Sequence, residues 1–193
     1  MSRENILNAI KNNQPELSPL QELPDFKSQF PDLVEQFTNV AVSIGAKVFE
    51  VTGIEQIKEI IQQEGKAKGR VVSNVPGFED FAEVLNLPET APHSLQNVDF
   101  AIVQAHLGVA ENSACWINAL SAAERVLPVI CQHLAFVVRK NAIVATMHDA
   151  YLKIADVDYG YAAFIAGPSK TADIEQSLVL GAHGPRSLMV FLV

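Results

Sequence analysis

The stretch VDFAIVQA, residues 98–105, decides how the rest of the chain is read. An apolar run with only Asp99 and Gln104 breaking it suits a strand buried on both faces, the character of a strand inside a parallel sheet. LAFVVR (134–139), YAAFIAG (161–167) and SLMVFLV (187–193) repeat that character. AKVFEV (46–51) and RVVSNV (70–75) read as further strands. Between them lie helical patterns. IEQIKEIIQQEG (54–65) places Ile54, Ile57, Ile60 and Ile61 on one face, FEDFAEVLN (78–86) reads as a short helix, and NAIVATMHDAYLKI (141–154) as a helix that Asn141 could cap. Strands alternating with amphipathic helices predict an α/β fold with a mostly parallel central sheet flanked by helices. LGVAENSACWINAL (107–120) lacks a clean period and is read as a strand-like hairpin beside that sheet.

Upstream, PDLVEQFTNVAVSIG (31–45) has helical apolar spacing and Gly45 placed to end it. Residues 12–32 carry Pro15, Pro19, Pro24 and Pro31, which favour an extended arm. Ahead of it, Ile6, Leu7 and Ile10 mark a short amphipathic docking helix. The expected organisation is an N-terminal helix and proline-rich arm over 1–32 and one α/β domain over 33–193.

Composition narrows the function. The 193 residues carry a formal charge of -8 and no basic stripe, which opposes nucleic-acid binding. No run approaches the roughly 18 apolar residues that a membrane span needs, and the N-terminus lacks the apolar core of a secretory signal, so a cytoplasmic location is expected. Cys115 and Cys131, far apart in sequence, are expected to be buried thiols and cannot by themselves ligate an iron–sulfur cluster or a structural zinc. No compact metal-ligand cluster, dinucleotide fingerprint or P-loop is present, and no cofactor is expected. Ser113 has no G-x-S-x-G elbow around it.

Two turns near the end are richer in hydroxyls and charge than a plain connection requires. GPSKTADIE (167–175) follows a strand and reads as the opening of a helix, with Ser169, Thr171 or Asp173 able to cap it. GAHGPRS (181–187) reads as a second tight turn, with Gly181 ending that helix. His183 there is either a structural histidine or, with Arg186, paired with the carboxylates of the first turn as an acid/base pair or an arginine clamp on a carboxylate substrate. Glu111, an ionisable residue among small apolar ones, sits in a loop that an active site could use. Ligands of open α/β sheets gather at the carboxyl ends of the strands, which directs attention to the loops after residues 161–167 and 98–105.

The segment GPSKTADIEQSLVLGAHGPRSLMVFLV (167–193) resembles the carboxyl-terminal signature of the LUD-domain family, the lactate utilisation protein C group. Gly167, Pro168, Ser169, Thr171, Ala172, Asp173, Ile174, Glu175, Gly181, His183, Gly184 and Pro185 fall in its register. Upstream, Ala110 and Glu111 match the family's A-E-T-G-T, with Asn112, Ser113 and Ala114 in place of Thr-Gly-Thr. LPVICQH (127–133) resembles its L-P-x-x-H segment through Pro128 and His133, with four residues between them rather than two. The resemblance implies a fold similar to the sugar-phosphate isomerase and CoA-transferase-like group. It also implies a part in oxidising L-lactate to pyruvate beside partner subunits, at least one of them carrying iron–sulfur clusters. On that footing Glu111, Ser169, Thr171, Asp173, His183 and Arg186 are expected to line a polar site. Ser169 and Thr171 would orient an anion, His183 or Glu111 move a proton, and Arg186 hold a small carboxylate. The rival expectations are a stand-alone enzyme on a sugar phosphate or CoA ester, and a regulatory or scaffold module without chemistry.

Overall fold

The computed structural model describes residues 2–19, 21, 30–85, 92–118, 125–174 and 177–193, with the side chains at 172–174 and 177–178 outside the description. Along the chain run α1 (Arg3–Asn12), α2 (Leu33–Ser43), β1 (Lys47–Glu50), α3 (Ile54–Glu64), β2 (Arg70–Ser73), β3 (Glu83–Val84) and β4 (Val98–Gln104). They are followed by β5 (Leu107–Val109), β6 (Cys115–Asn118), α4 (Leu127–Ile130), β7 (His133–Val138), β8 (Ile143–Val144) and α5 (Met147–Ile154). The last elements are β9 (Ala162–Ile165), β10 (Lys170–Ile174), β11 (Ser177–Leu180) and β12 (Ser187–Leu192).

Six strands form one sheet in the order β1-β12-β7-β4-β2-β3, and every adjacent pair is parallel. The reading of 98–105 holds: Phe100, Ala101, Ile102 and Val103 are fully buried in β4 at the middle of that sheet. Alternation sorts the side chains into two layers. Leu188, Val190 and Leu192 of β12 join Leu134, Phe136 and Val138 of β7 against Phe37 and Ala41 of α2. Met189, Phe191, Ala135 and Val137 point the other way, onto Ile57 and Ile61 of α3 and onto Phe78.

A second sheet, β8-β5-β6-β9, covers the α2 side. Cys115 and Ile117 of β6 face the layer shared with α2, while Val109, Trp116 and Val144 pack on Ala150 and Ile154 of α5. The hairpin expected over 107–120 is therefore β5 and β6, paired antiparallel. YAAFIAG, expected in the central sheet, forms β9 antiparallel to β6 instead. Its half-buried residues need only one covered face, which a short antiparallel strand supplies.

Three local expectations are corrected. Residues 78–82 make a turn, with Phe81 N–H and Ala82 N–H both donating to Phe78 O, before the chain extends into edge strand β3. Burying Phe78 and Ala82 under α3 outweighs the helical spacing of a short segment. In 141–154 the helix begins only at Met147. Thr146, not Asn141, caps it, in a reciprocal box with Asp149. The helix expected after Gly167 is the hairpin β10–β11, with Lys170 opposite Leu180 and Thr171 opposite Val179. Capping residues satisfy free N–H groups at a helix start, but a facing strand satisfies the same groups. Here the strand wins, because Gly181 N–H donates to Ser169 O and closes the hairpin's base.

At the N-terminus, Ser2 caps α1 through Asn5 N–H, and no residue of α1 is buried. Ile6, Leu7 and Ile10 are among the exposed large apolar side chains.

Candidate functional site

The turn 181–186 leads into β12, and Cys131 and Gln132 lead into β7, so both lie at the amino ends of the parallel strands. Here the two signature turns meet. Ser169 N–H donates to Pro185 O at 2.8 Å, Gly181 N–H to Ser169 O at 3.0 Å, and Arg186 N–H to Gln132 O at 2.8 Å. Gly167 has φ +68°, and a Cβ there would meet Ile44 O at 3.3 Å. Pro168 is buried beside it, and Lys170 Nζ donates to Ile44 O, a carbonyl left open at the end of α2. A Cβ at Gly184 would stand 3.2 Å from Ser169 Cβ. The two turns thus lock onto each other and onto the end of α2.

The fold sets Ser169 against the turn that carries His183 and Arg186, while Thr171 lies two positions further along β10, opposite Val179. His183 and Arg186 are exposed, and Ser169 and Thr171 are half-buried. Asp173 lies in β10 with its side chain outside the described residues, as is all of Glu175. Glu111 is differently engaged: its Oε1 accepts from Met147 N–H at 2.7 Å, the first amide of α5. A carboxylate at a helix start offsets the positive end of the macrodipole. Its neighbour Ser113 is buried with φ +55°, and its Oγ has no partner among the described residues.

One polar pair at this end was not singled out from sequence. His133 Nδ1 lies 2.7 Å from Ser187 Oγ, across directly paired residues of β7 and β12. Burial pushes the His133 imidazole below its usual range, against an opposing pull from Asp99. The two cysteines are buried as expected, and burial pushes both thiols up to about 12. No group of three or more His, Cys, Asp or Glu among the described residues could hold a metal ion.

The carboxyl ends of the strands carry a different feature. Two adjoining cavities of about 500 and 570 Å³ share His106 and Arg139. The first lies over the ends of β1, β2, β4, β7 and β12, with Ile54, Pro76, Gln104 and Val137 in its wall. The second runs between those ends and α5, lined by Trp116, Asn118, Asn141 and Lys153. His106 Nε2 lies 3.3 Å from Asn118 Oδ1, and its ring stands 5.5 Å from that of Trp116. Gln104 is turned inward, its side-chain amide donating to Val137 O at 3.1 Å. The loop after residues 98–105 was expected to matter, but Arg139, Asn118 and Lys153 come from three other segments and carried no motif.

The chain is similar to known proteins over much of its length. Residues 89–193 match the family described as LUD domain. Lactate utilization protein C of Deinococcus radiodurans is 27% identical over 192 residues, covering 96% of this chain and 90% of that protein. Its counterpart in Halalkalibacterium halodurans is 25% identical over 171 residues, 79% and 74% of the two chains. The match to the Exiguobacterium protein of the same name, 28% identical, covers 55% of this chain and 49% of that one, about half its length. The crystal structure of a duf162 family protein from Deinococcus radiodurans superposes with a TM-score of 0.59 over 83% of this chain and 96% of that one, at 21% identity. That likeness establishes the α/β fold.

Proposed function

The chain belongs to the LUD-domain family, and we propose that it serves a lactate-utilisation system as a non-redox subunit, supporting the oxidation of L-lactate to pyruvate beside iron–sulfur partner subunits. The observation that carries this reading is the similarity, over as much as 96% of the chain, to proteins called lactate utilization protein C. The thiols of Cys115 and Cys131, held protonated in the core, offer no ready thiolate ligands, which supports placing the clusters in partner chains. Among the described residues no helix is long and apolar enough to cross a membrane.

Within that role the face at the amino ends of the strands holds a small carboxylate or other anion. Arg186 supplies the charge, Ser169, Thr171 and Asp173 the polar lining, and His183 or Glu111 the proton. The exposure of His183 and Arg186 beside Ser169 supports this assignment. The arm, residues 1–32, would extend from the domain of 33–193 and dock through Ile6, Leu7 and Ile10, whose exposure on α1 fits that use.

The test is mild affinity purification of the tagged protein from its own host grown on L-lactate, with a deletion strain alongside. Recovery of iron–sulfur subunits in constant ratio, with growth on lactate lost on deletion, is the expected result. A clean single chain and unimpaired growth would overturn the reading in favour of a stand-alone enzyme.

A further inference from the structure

The carboxyl-end cleft is built from chemistry that the signature turns do not use. Neither cavity has an aspartate or glutamate among its lining residues, although the chain carries a formal charge of -8. Four basic side chains elsewhere are held by carboxylates: Lys47 pairs with Glu64, Lys58 with Glu55 and Asp80, Arg70 with Glu83, and Lys140 with Glu50. Arg139 and Lys153, which line the 570 Å³ cavity together, pair with no carboxylate among the described residues. Asp156 and Asp158 flank Val157 in sequence, but neither lines the cavity. An unpaired guanidinium beside an ammonium in a concave site favours an anion, and the planar fork of an arginine suits carboxylate or phosphate oxygens.

The other wall is apolar. Leu107, Trp116, Ile154 and Val157 form it, with Trp116 buried and braced edge-on by Tyr159 at 5.5 Å between ring centres. A bare inorganic anion would use the cations and leave that wall wet. Cavities of this volume, mostly apolar with a few convergent polar groups, accommodate organic ligands of several rings or chains. Between the two walls lie His106 and Asn118, hydrogen-bonded to each other and able to fix a ligand's polar edge.

We propose that this cleft binds an organic anion, with its carboxylate or phosphate on Arg139 and Lys153 and an aromatic or apolar body against Trp116. The site stands on the cleft's own geometry and does not depend on the lactate reading, so either can fail without the other.

Trp116 is the only tryptophan in the chain, so its fluorescence reports on this wall alone. Titrating the full chain with benzoate, phenyl phosphate, acetate, inorganic phosphate and phenol separates charge from body, and carboxylate from phosphate. Saturable changes with benzoate or phenyl phosphate are expected, with phenol and the corresponding small anion each at least about tenfold weaker. Arg139→Ala, at an exposed position, should fold as the parent does by circular dichroism and weaken the ringed anion about tenfold, with Lys153→Ala weakening it less. No saturable signal from either ringed anion, or an Arg139→Ala protein that binds as tightly as the parent, would overturn the proposal. Binding seen by calorimetry that leaves Trp116 unchanged would overturn it as well.

Discussion

Ser113 is the residue whose replacement tests the local physics most sharply. It is buried, it holds the left-handed conformation at φ +55°, and its hydroxyl has no partner among the described residues. It also stands where the LUD pattern A-E-T-G-T has glycine. The left-handed region costs an L-residue roughly 1 kcal/mol because Cβ crowds the following carbonyl. An unpartnered buried hydroxyl costs about 1–3 kcal/mol. Ser113→Gly removes both, and loses back about 0.4–1 kcal/mol through the greater freedom of glycine in the unfolded chain. The net is a stabilisation of about 1–3 kcal/mol, or roughly 3–9 °C in Tm at about 3 °C per kcal/mol for a chain of this size. Ser113→Ala separates the terms, since it removes the hydroxyl and keeps the strained conformation; it should gain the larger share, about 1–3 kcal/mol, and Ser113→Gly should exceed it by no more than about 0.6 kcal/mol. Thermal unfolding followed by circular dichroism, repeated in urea, measures both. A Ser113→Gly protein no more stable than the parent would refute the strain argument. It would mean that the hydroxyl is satisfied in solution or that the turn has another conformation.

Two further outcomes are expected. Glu111→Ala should cost about 1 kcal/mol in urea unfolding by leaving Met147 N–H uncapped, with Glu111→Gln costing less; no loss for either would remove the capping role. Stability should also fall in acid in two stages. His133, held below its usual range by burial, stays neutral in the fold while the unfolded chain takes up its proton, so stability declines as pH drops below about 6.5. Asp80 and Glu83 are held below the ordinary carboxylate range by hydrogen bonds from Lys58 and Arg70, so their contribution is present above about pH 4 and lost as pH falls through their lowered values. His133→Asn should flatten the first stage alone in urea melts taken from pH 7 to 5; an unchanged slope would contradict the assignment.

Much of this protein is determined by local sequence. Continuous apolar runs at 98–105, 134–139 and 187–193 can be satisfied only by burial on two faces, so the parallel core of β4, β7 and β12 is legible without coordinates. The spacing of Ile57 and Ile61 likewise commits α3 to one face of that sheet. The closing signature identifies the family because its glycines and prolines answer local demands, as at Gly167, where a side chain would strike Ile44.

Tertiary structure decided the rest. Whether residues 170–174 and 177–180 form a helix or a hairpin turns on which partner satisfies their backbone, and that partner is supplied by the closure between Ser169 and Gly181. Residues 161–167 could join either sheet on their own pattern, and pairing with β6 settled it. Glu111 became a helix cap because Met147, 36 positions away, was folded against it. The cleft at the carboxyl ends left no motif, because His106, Arg139 and Lys153 meet only when β4, β7 and α5 are packed. Charge in a solvated loop has no local signature of purpose; only its placement opposite an apolar wall makes it a site.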